Sequence, residues 1–243
     1  MRATINGWLR RLPVWAVWLA GLVPLALLLT DAVNGTLGAD PVALIEHRLG
    51  RTALYLLVGG LAITPLLKWG RINMMRFRRA VGLLAFTYVM LHVLTWLLLD
   101  LGLIAAFAGA MDAAFVWGQA VGDIIKRPYL TVGMFALALL IPLAVTSNQA
   151  SIRAMGGKAW RRLHQLVYLA VPAAAIHYLM VAKVIRVEAV IWLALTLALL
   201  ALRMVRPPQP AQPAANRPNA ARPAAAPGPV TRSAADAEVR AGE

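Results

Sequence analysis

The strongest constraint on this chain is a series of apolar runs of near membrane-spanning length, separated by clusters of arginine and lysine. A hydrocarbon core about 30 Å thick takes roughly 20 helical residues. Within it every backbone N–H and C=O must bond inside the chain, so runs of this kind become helices. Leu12 to Leu29 carries no charged side chain, and further runs follow at about 47–67, 80–99, 128–146, 163–181 and 187–204. With 60% hydrophobic residues, 14% charged residues and a mean hydropathy of +0.69, too little polar surface remains to clothe a soluble domain. The expected fold class is all-α, a polytopic membrane bundle of six transmembrane helices formed by residues 1–205.

Charge then orients the bundle. Three basic residues precede the first run (Arg2, Arg10, Arg11), five lie between the second and third (Lys68, Arg71, Arg76, Arg78, Arg79), and four between the fourth and fifth (Arg153, Lys158, Arg161, Arg162). The other connections are balanced or acidic, so the positive-inside rule puts both termini in the cytoplasm. The start has the charged and apolar regions of a signal peptide, but its apolar run is long and no A-x-A-like site follows. Asp100 to Arg127, broken by glycine and aspartate, is expected to be an outer loop with an interfacial helix. Residues 206–243 form a Pro/Ala-rich tail without apolar periodicity, expected to be disordered and too short for a nucleotide-binding domain. The net charge of +14 follows from the inter-span arginines and needs no nucleic acid to explain it.

The chain contains no cysteine, which excludes thiolate-held iron–sulfur clusters and covalent c-type haem. It has four histidines. His92 and His177 each lie roughly 20 Å into a span that starts from the cytoplasm, so they share one depth in the outer half of the membrane. Two imidazoles at one level on neighbouring spans suit the axial positions of a b-type haem. Intramembrane ionisable residues default to function rather than packing, although each could separately bond to backbone or hydroxyl groups. His164 lies on the inner side with no histidine facing it, and Arg78 occupies the inner position on its neighbour span. His164 with Arg78 and Arg79 could hold a second haem with a non-histidine ligand, haem propionates, a flavin phosphate or a quinone carbonyl. On a straight helix His164 and His177 would be about 140° apart, and Pro172 between them is the expected place for the helix to rewind. His47, flanked by Glu46 and Arg48, reads as a headgroup-level histidine, with a quinone site as the alternative. Gly59-Gly60 is expected to permit close helix approach, and Trp8, Trp15, Trp69, Trp117 and Trp160 to serve mostly as interfacial anchors.

The segments HRLGRTAL, TPLLKWGRINMMRFRRAVGLLAFTYVMLHVLTWLLLD, KRPYLTVG and TSNQASIRAMGGKAWRRLHQLVYL together resemble the haem-binding membrane subunits of periplasmic methionine sulfoxide reductase systems, within the ferric-reductase-like transmembrane group. The resemblance covers about residues 44–205. It implies a six-span inner-membrane protein with haem b, one or two per chain, and FMN as a further cofactor. Electrons would pass from the quinone pool to a periplasmic molybdopterin reductase that repairs methionine sulfoxide. It maps the haem histidines onto His92, His164 and His177. Arg78 stands where the wider group often has an inner histidine, a departure that bears on the second haem. Asp100 to Arg127 would then be the docking surface for the periplasmic partner. The alternatives are a partner-independent ferric or quinone reductase and, from another class, a histidine-relay transporter. The lack of any acidic residue deep in a span disfavours the transporter.

Overall fold

A computed structural model describes residues 2–181 and 186–205. The expected tail 206–243 and part of the turn before the last span lie outside the described residues. Ten α-helices are described: α1 Arg2–Arg11, α2 Val14–Val33, α3 Pro41–Pro65, α4 Arg78–Thr95, α5 Leu103–Phe107, α6 Ala113–Lys126, α7 Pro128–Val145, α8 Gln149–Leu163, α9 Val167–Val181 and α10 Val187–Met204. Six stretches are long and apolar enough to cross a membrane, namely Val14–Val33, Pro41–Gly70, Met75–Asp100, Pro128–Val145, Gln149–Val181 and Val187–Met204. These are the six expected spans, with the second and fifth longer than their apolar runs suggested.

Local chemistry sets the ends. The Asp40 carboxylate accepts from the Ala43 N–H at 3.0 Å, with Pro41 in the first turn where no N–H is needed. Asn148 caps α8 through the Ser151 N–H at 2.7 Å. The expected basic loop around Arg153 to Arg162 is therefore helical. It breaks at Gly156 (φ 75°, ψ 148°), a conformation open to glycine alone, and this divides the 33-residue stretch Gln149–Val181. The N-terminal arginines are also not a loose lead. Asn6 on α1 bonds to the Arg71 carbonyl at 2.9 Å and accepts from the Asn73 N–H at 3.0 Å, and Arg76 donates to the Arg10 carbonyl at 2.9 Å.

The spans pack as two antiparallel pairs, α3 with α4 and α7 with α9, with α10 against α9 and α3. Leu54, Val58, Leu61, Ala85, Leu140, Ala170 and Val171 form the core between them. Many large apolar residues point outward, as a lipid solvent allows; α2 buries only Leu28. At one end α5 and α6 fold over the bundle, with Val116 and Ala120 packed on Trp96, Leu101 and Leu103, so the segment expected to be a loop with one helix carries two.

α2 is tied in at its proline. Pro24 lacks an N–H, and the Tyr88 hydroxyl from α4 enters the adjoining turn. It donates to the Gly21 carbonyl at 2.6 Å and accepts from the Leu25 N–H at 3.1 Å. Gly21 allows this approach, because a Cβ there would lie 2.5 Å from Leu84 Cδ1. Tyr88→Phe strands both backbone groups in hydrocarbon and is expected to cost about 1–3 kcal/mol. A lowered thermal unfolding midpoint of the detergent-purified protein checks this.

A bis-histidine pocket as the candidate functional site

His92 on α4 and His177 on α9 meet inside the bundle, with ring centres 6.3 Å apart. Each ring is fixed by the same device. His92 Nδ1 lies 2.9 Å from the Glu46 carbonyl on α3, and His177 Nδ1 lies 2.7 Å from the Tyr129 carbonyl on α7. A carbonyl only accepts, so both Nδ1 atoms carry the proton. Each Nε2 keeps a lone pair, the state in which imidazole binds a metal.

Four residues after each accepting carbonyl stands a glycine against which the ring lies. A Cβ at Gly50 would be 3.2 Å from His92 Nδ1, and one at Gly133 would be 2.8 Å from His177 Nδ1. The two helix pairs thus build the same half-site twice, an equivalence with no trace as a sequence repeat. Gly59-Gly60, expected to serve close packing, does not: nothing lies within 4 Å of a Cβ at Gly59, and Gly60 makes ordinary contact with Val81.

The histidines open onto a cavity of about 280 Å³ between α3, α4, α7 and α9. Its walls are apolar, including Leu54, Leu57, Val89, Leu137 and Leu140, while Glu46, His47, Arg51, Asp100, Arg127 and Tyr178 lie toward the α5–α6 end. Arg51 pairs with Glu188 at 3.7 Å and Arg127 with Asp123 at 3.4 Å. These two arginines are cationic groups at the pocket that the spacing of the histidines did not reveal. At the end of α4 a π turn, Trp96–Asp100, widens the helix and places buried Trp96 in the wall, a feature often found beside functional sites.

The donor set selects among metals. Among the described residues no group of three or more His, Cys, Asp or Glu could hold a bare ion. Two imidazoles alone suit an ion whose remaining positions come from a planar cofactor. Two metal–nitrogen bonds of about 2 Å, with roughly an ångström more to each ring centre, match the observed 6.3 Å separation. The residues present therefore fit a haem.

The third histidine is set apart. His164 follows α8, its Nδ1 3.1 Å from its own helix's Trp160 carbonyl and its ring stacked 3.9 Å from the Trp160 ring. Nε2 has only the Ser147 hydroxyl at 3.5 Å, and that hydroxyl's proton goes to the Leu143 carbonyl at 2.6 Å. Its lone pair is unclaimed, but no second histidine stands opposite. Trp160, expected as an interfacial anchor, supports His164 and donates to the Thr146 carbonyl at 2.9 Å. Arg78 is partly buried, whereas Arg79 is exposed. His47 is exposed and lines the pocket's rim. The rewinding expected at Pro172 comes earlier, because His164–Leu166 is a 3₁₀ turn and α9 runs through Pro172 unbroken. Three residues at 120° rather than 100° shrink the ideal separation of His164 and His177 to about 80°.

Residues 49–175 match the family model described as the ferric reductase-like transmembrane component. The chain is 42% identical over 194 residues to the "Protein-methionine-sulfoxide reductase heme-binding subunit MsrQ" of Brucella ovis, covering 80% of this chain and 82% of that one. The same values hold for the proteins of that name from Brucella canis and Brucella suis. With its six apolar helices it is a multi-pass protein of the inner membrane. The chain belongs to the ferric reductase-like transmembrane family, and within it to the MsrQ group.

Proposed function

We propose that this protein is the haem-binding membrane subunit of a methionine sulfoxide reductase, carrying electrons across the inner membrane to a periplasmic molybdopterin-containing partner. The observation that carries the reading is the matched pair of His92 and His177, each with Nδ1 committed to a backbone carbonyl and the two rings 6.3 Å apart. Bound haem b would supply one-electron chemistry, its iron cycling between ferric and ferrous states. The chain's own part is to hold two neutral imidazoles in one tautomer and to keep the iron's surroundings dry with the apolar wall. Arg51 and Arg127 lie at the end of the pocket where propionates could meet water.

Electrons enter at the opposite end in this reading. His164 with its unclaimed Nε2, together with half-buried Arg78, would receive the inner redox group: a second haem, the FMN phosphate or a quinone carbonyl. Arg79, being exposed, faces headgroups or a donor. Both termini lie in the cytoplasm on the strength of the basic clusters. The partner docks on the segment Asp100 to Arg127, where Phe107 and Ile125 are each 76% exposed.

Cofactor extraction from detergent-purified protein is expected to yield haem b with a low-spin absorbance spectrum. Chemically reduced protein is then mixed with the periplasmic reductase and methionine sulfoxide, and reoxidation should require both. Reoxidation by quinone or ferric iron at the same rate without the reductase would favour the partner-independent enzyme. A protein without a chromophore would end the haem reading altogether.

A further inference from the structure

Arg203 is the unexplained charge of this bundle. It lies in the last turn of α10, half-buried, at the end opposite the bis-histidine pocket. Its Nη2 donates to the Leu61 carbonyl on α3 at 2.6 Å and its Nη1 to the Tyr168 hydroxyl on α9 at 2.7 Å. Both acceptors are neutral. Its Nε is buried and has no hydrogen-bond partner among the described residues. A second cation, Arg78, begins α4 at the same end of the bundle.

Among the described residues no acidic side chain at this end offsets the pair. The described acidic residues are Asp31, Asp40, Glu46, Asp100, Asp112, Asp123 and Glu188, and all belong to the other end of the spans. Glu188, at the start of α10 itself, is roughly 22 Å away along the helix. A membrane arginine without a counter-charge is costly and normally marks a ligand or a partner. The surroundings say which kind. Trp69 donates to the Leu202 carbonyl at 3.3 Å, and Leu66 just after α3, Leu169 on α9 and Leu202 on α10 leave apolar surface exposed. A cationic group beside apolar walls at the basic end of a span suits a headgroup with its acyl chains better than a free ion.

We propose that Arg203 binds the phosphate of an acidic phospholipid whose acyl chains lie on the exposed surfaces of Leu66, Leu169 and Leu202. The second N–H of each Nη group supplies the donors, and a guanidinium fork matches phosphate oxygens. The lipid would fasten α10, the last span, to the helix pairs that carry the pocket. Neither haem nor a protein partner is needed for it to bind.

The full chain in phosphatidylcholine nanodiscs, with and without phosphatidylglycerol, tests this by tryptophan-fluorescence melting and by native mass spectrometry of retained lipid. Phosphatidylglycerol is expected to raise the melting midpoint and to be retained in preference to phosphatidylcholine. Arg203→Gln should weaken that retention roughly tenfold, Arg203→Lys should keep part of it, and Arg153→Gln, exposed on α8 at the same end, should leave it unchanged. Equal losses for Arg203→Gln and Arg153→Gln would mean only a general attraction to the basic surface and would overturn the site. So would equal protection by inorganic phosphate, or wild-type protein with no preference between the lipids. Should Arg203→Gln not fold, the lysine variant and the wild-type preference still decide.

Discussion

Replacing either His92 or His177 by alanine is expected to remove the low-spin haem spectrum of the outer site. Each imidazole is one of two matched donors there, and among the described residues no group of three or more His, Cys, Asp or Glu could hold a metal ion. Changes to groups that merely orient a metal-bound histidine typically cost 10–100-fold in affinity, so loss of the ligand itself should cost more than about tenfold. His164→Ala is the informative comparison. It lies at the other end of the same span pair, stacked on Trp160, and should leave the spectrum of the outer site intact. Absorbance of reduced and oxidised purified variants, normalised to protein, checks all three. A normal spectrum in both the His92 and His177 variants would refute the assignment.

Gly133→Ala is the second large effect expected, and it separates haem retention from folding. The added methyl would sit 2.8 Å from His177 Nδ1 and 2.9 Å from its Cε1, so the ring must move and its 2.7 Å bond to the Tyr129 carbonyl must stretch. Constellations of this kind tolerate displacements of only about 0.5 Å. Haem content should fall about 10–100-fold, in line with loss of an orienting contact. The equivalent change at Gly50 brings a methyl to 3.2 Å from His92 Nδ1. A shift of a few tenths of an ångström relieves that contact, so Gly50→Ala should lose distinctly less. Gly59→Ala meets open space and should retain haem fully. All three exchanges favour the helix by up to about 1 kcal/mol. Apoprotein melting midpoints should therefore hold or rise while haem content falls most at 133, less at 50 and not at 59.

Much of the fold was legible from residue order. Six apolar runs imply six spans through chain length and the demand that backbone groups be bonded inside lipid. Depth was legible too, because rise per residue is constant: His92 and His177, counted from two basic clusters, do meet at one level. Azimuth was not. A helix that is apolar on every side carries no stripe to say which face meets which neighbour, and local changes of winding shift the phase. The 3₁₀ turn at His164–Leu166 and the π turn at Trp96–Asp100 are such changes, and neither has a clear sequence marker.

By itself, then, the sequence determined an all-α membrane bundle of six spans, the absence of thiol chemistry, and a pair of histidines at matched depth. Only the tertiary structure decided that Glu46 and Tyr129 present their carbonyls to those histidines, that Gly50 and Gly133 rather than Gly59 and Gly60 make the room, that Trp160 backs His164, and that Arg203 buries an Nε with no partner among the described residues. The physical reason is common to all four. Backbone carbonyls are the same at every residue, and a glycine or an arginine gains its meaning from what stands across from it. That is set by how helices from distant parts of the chain come to lie side by side.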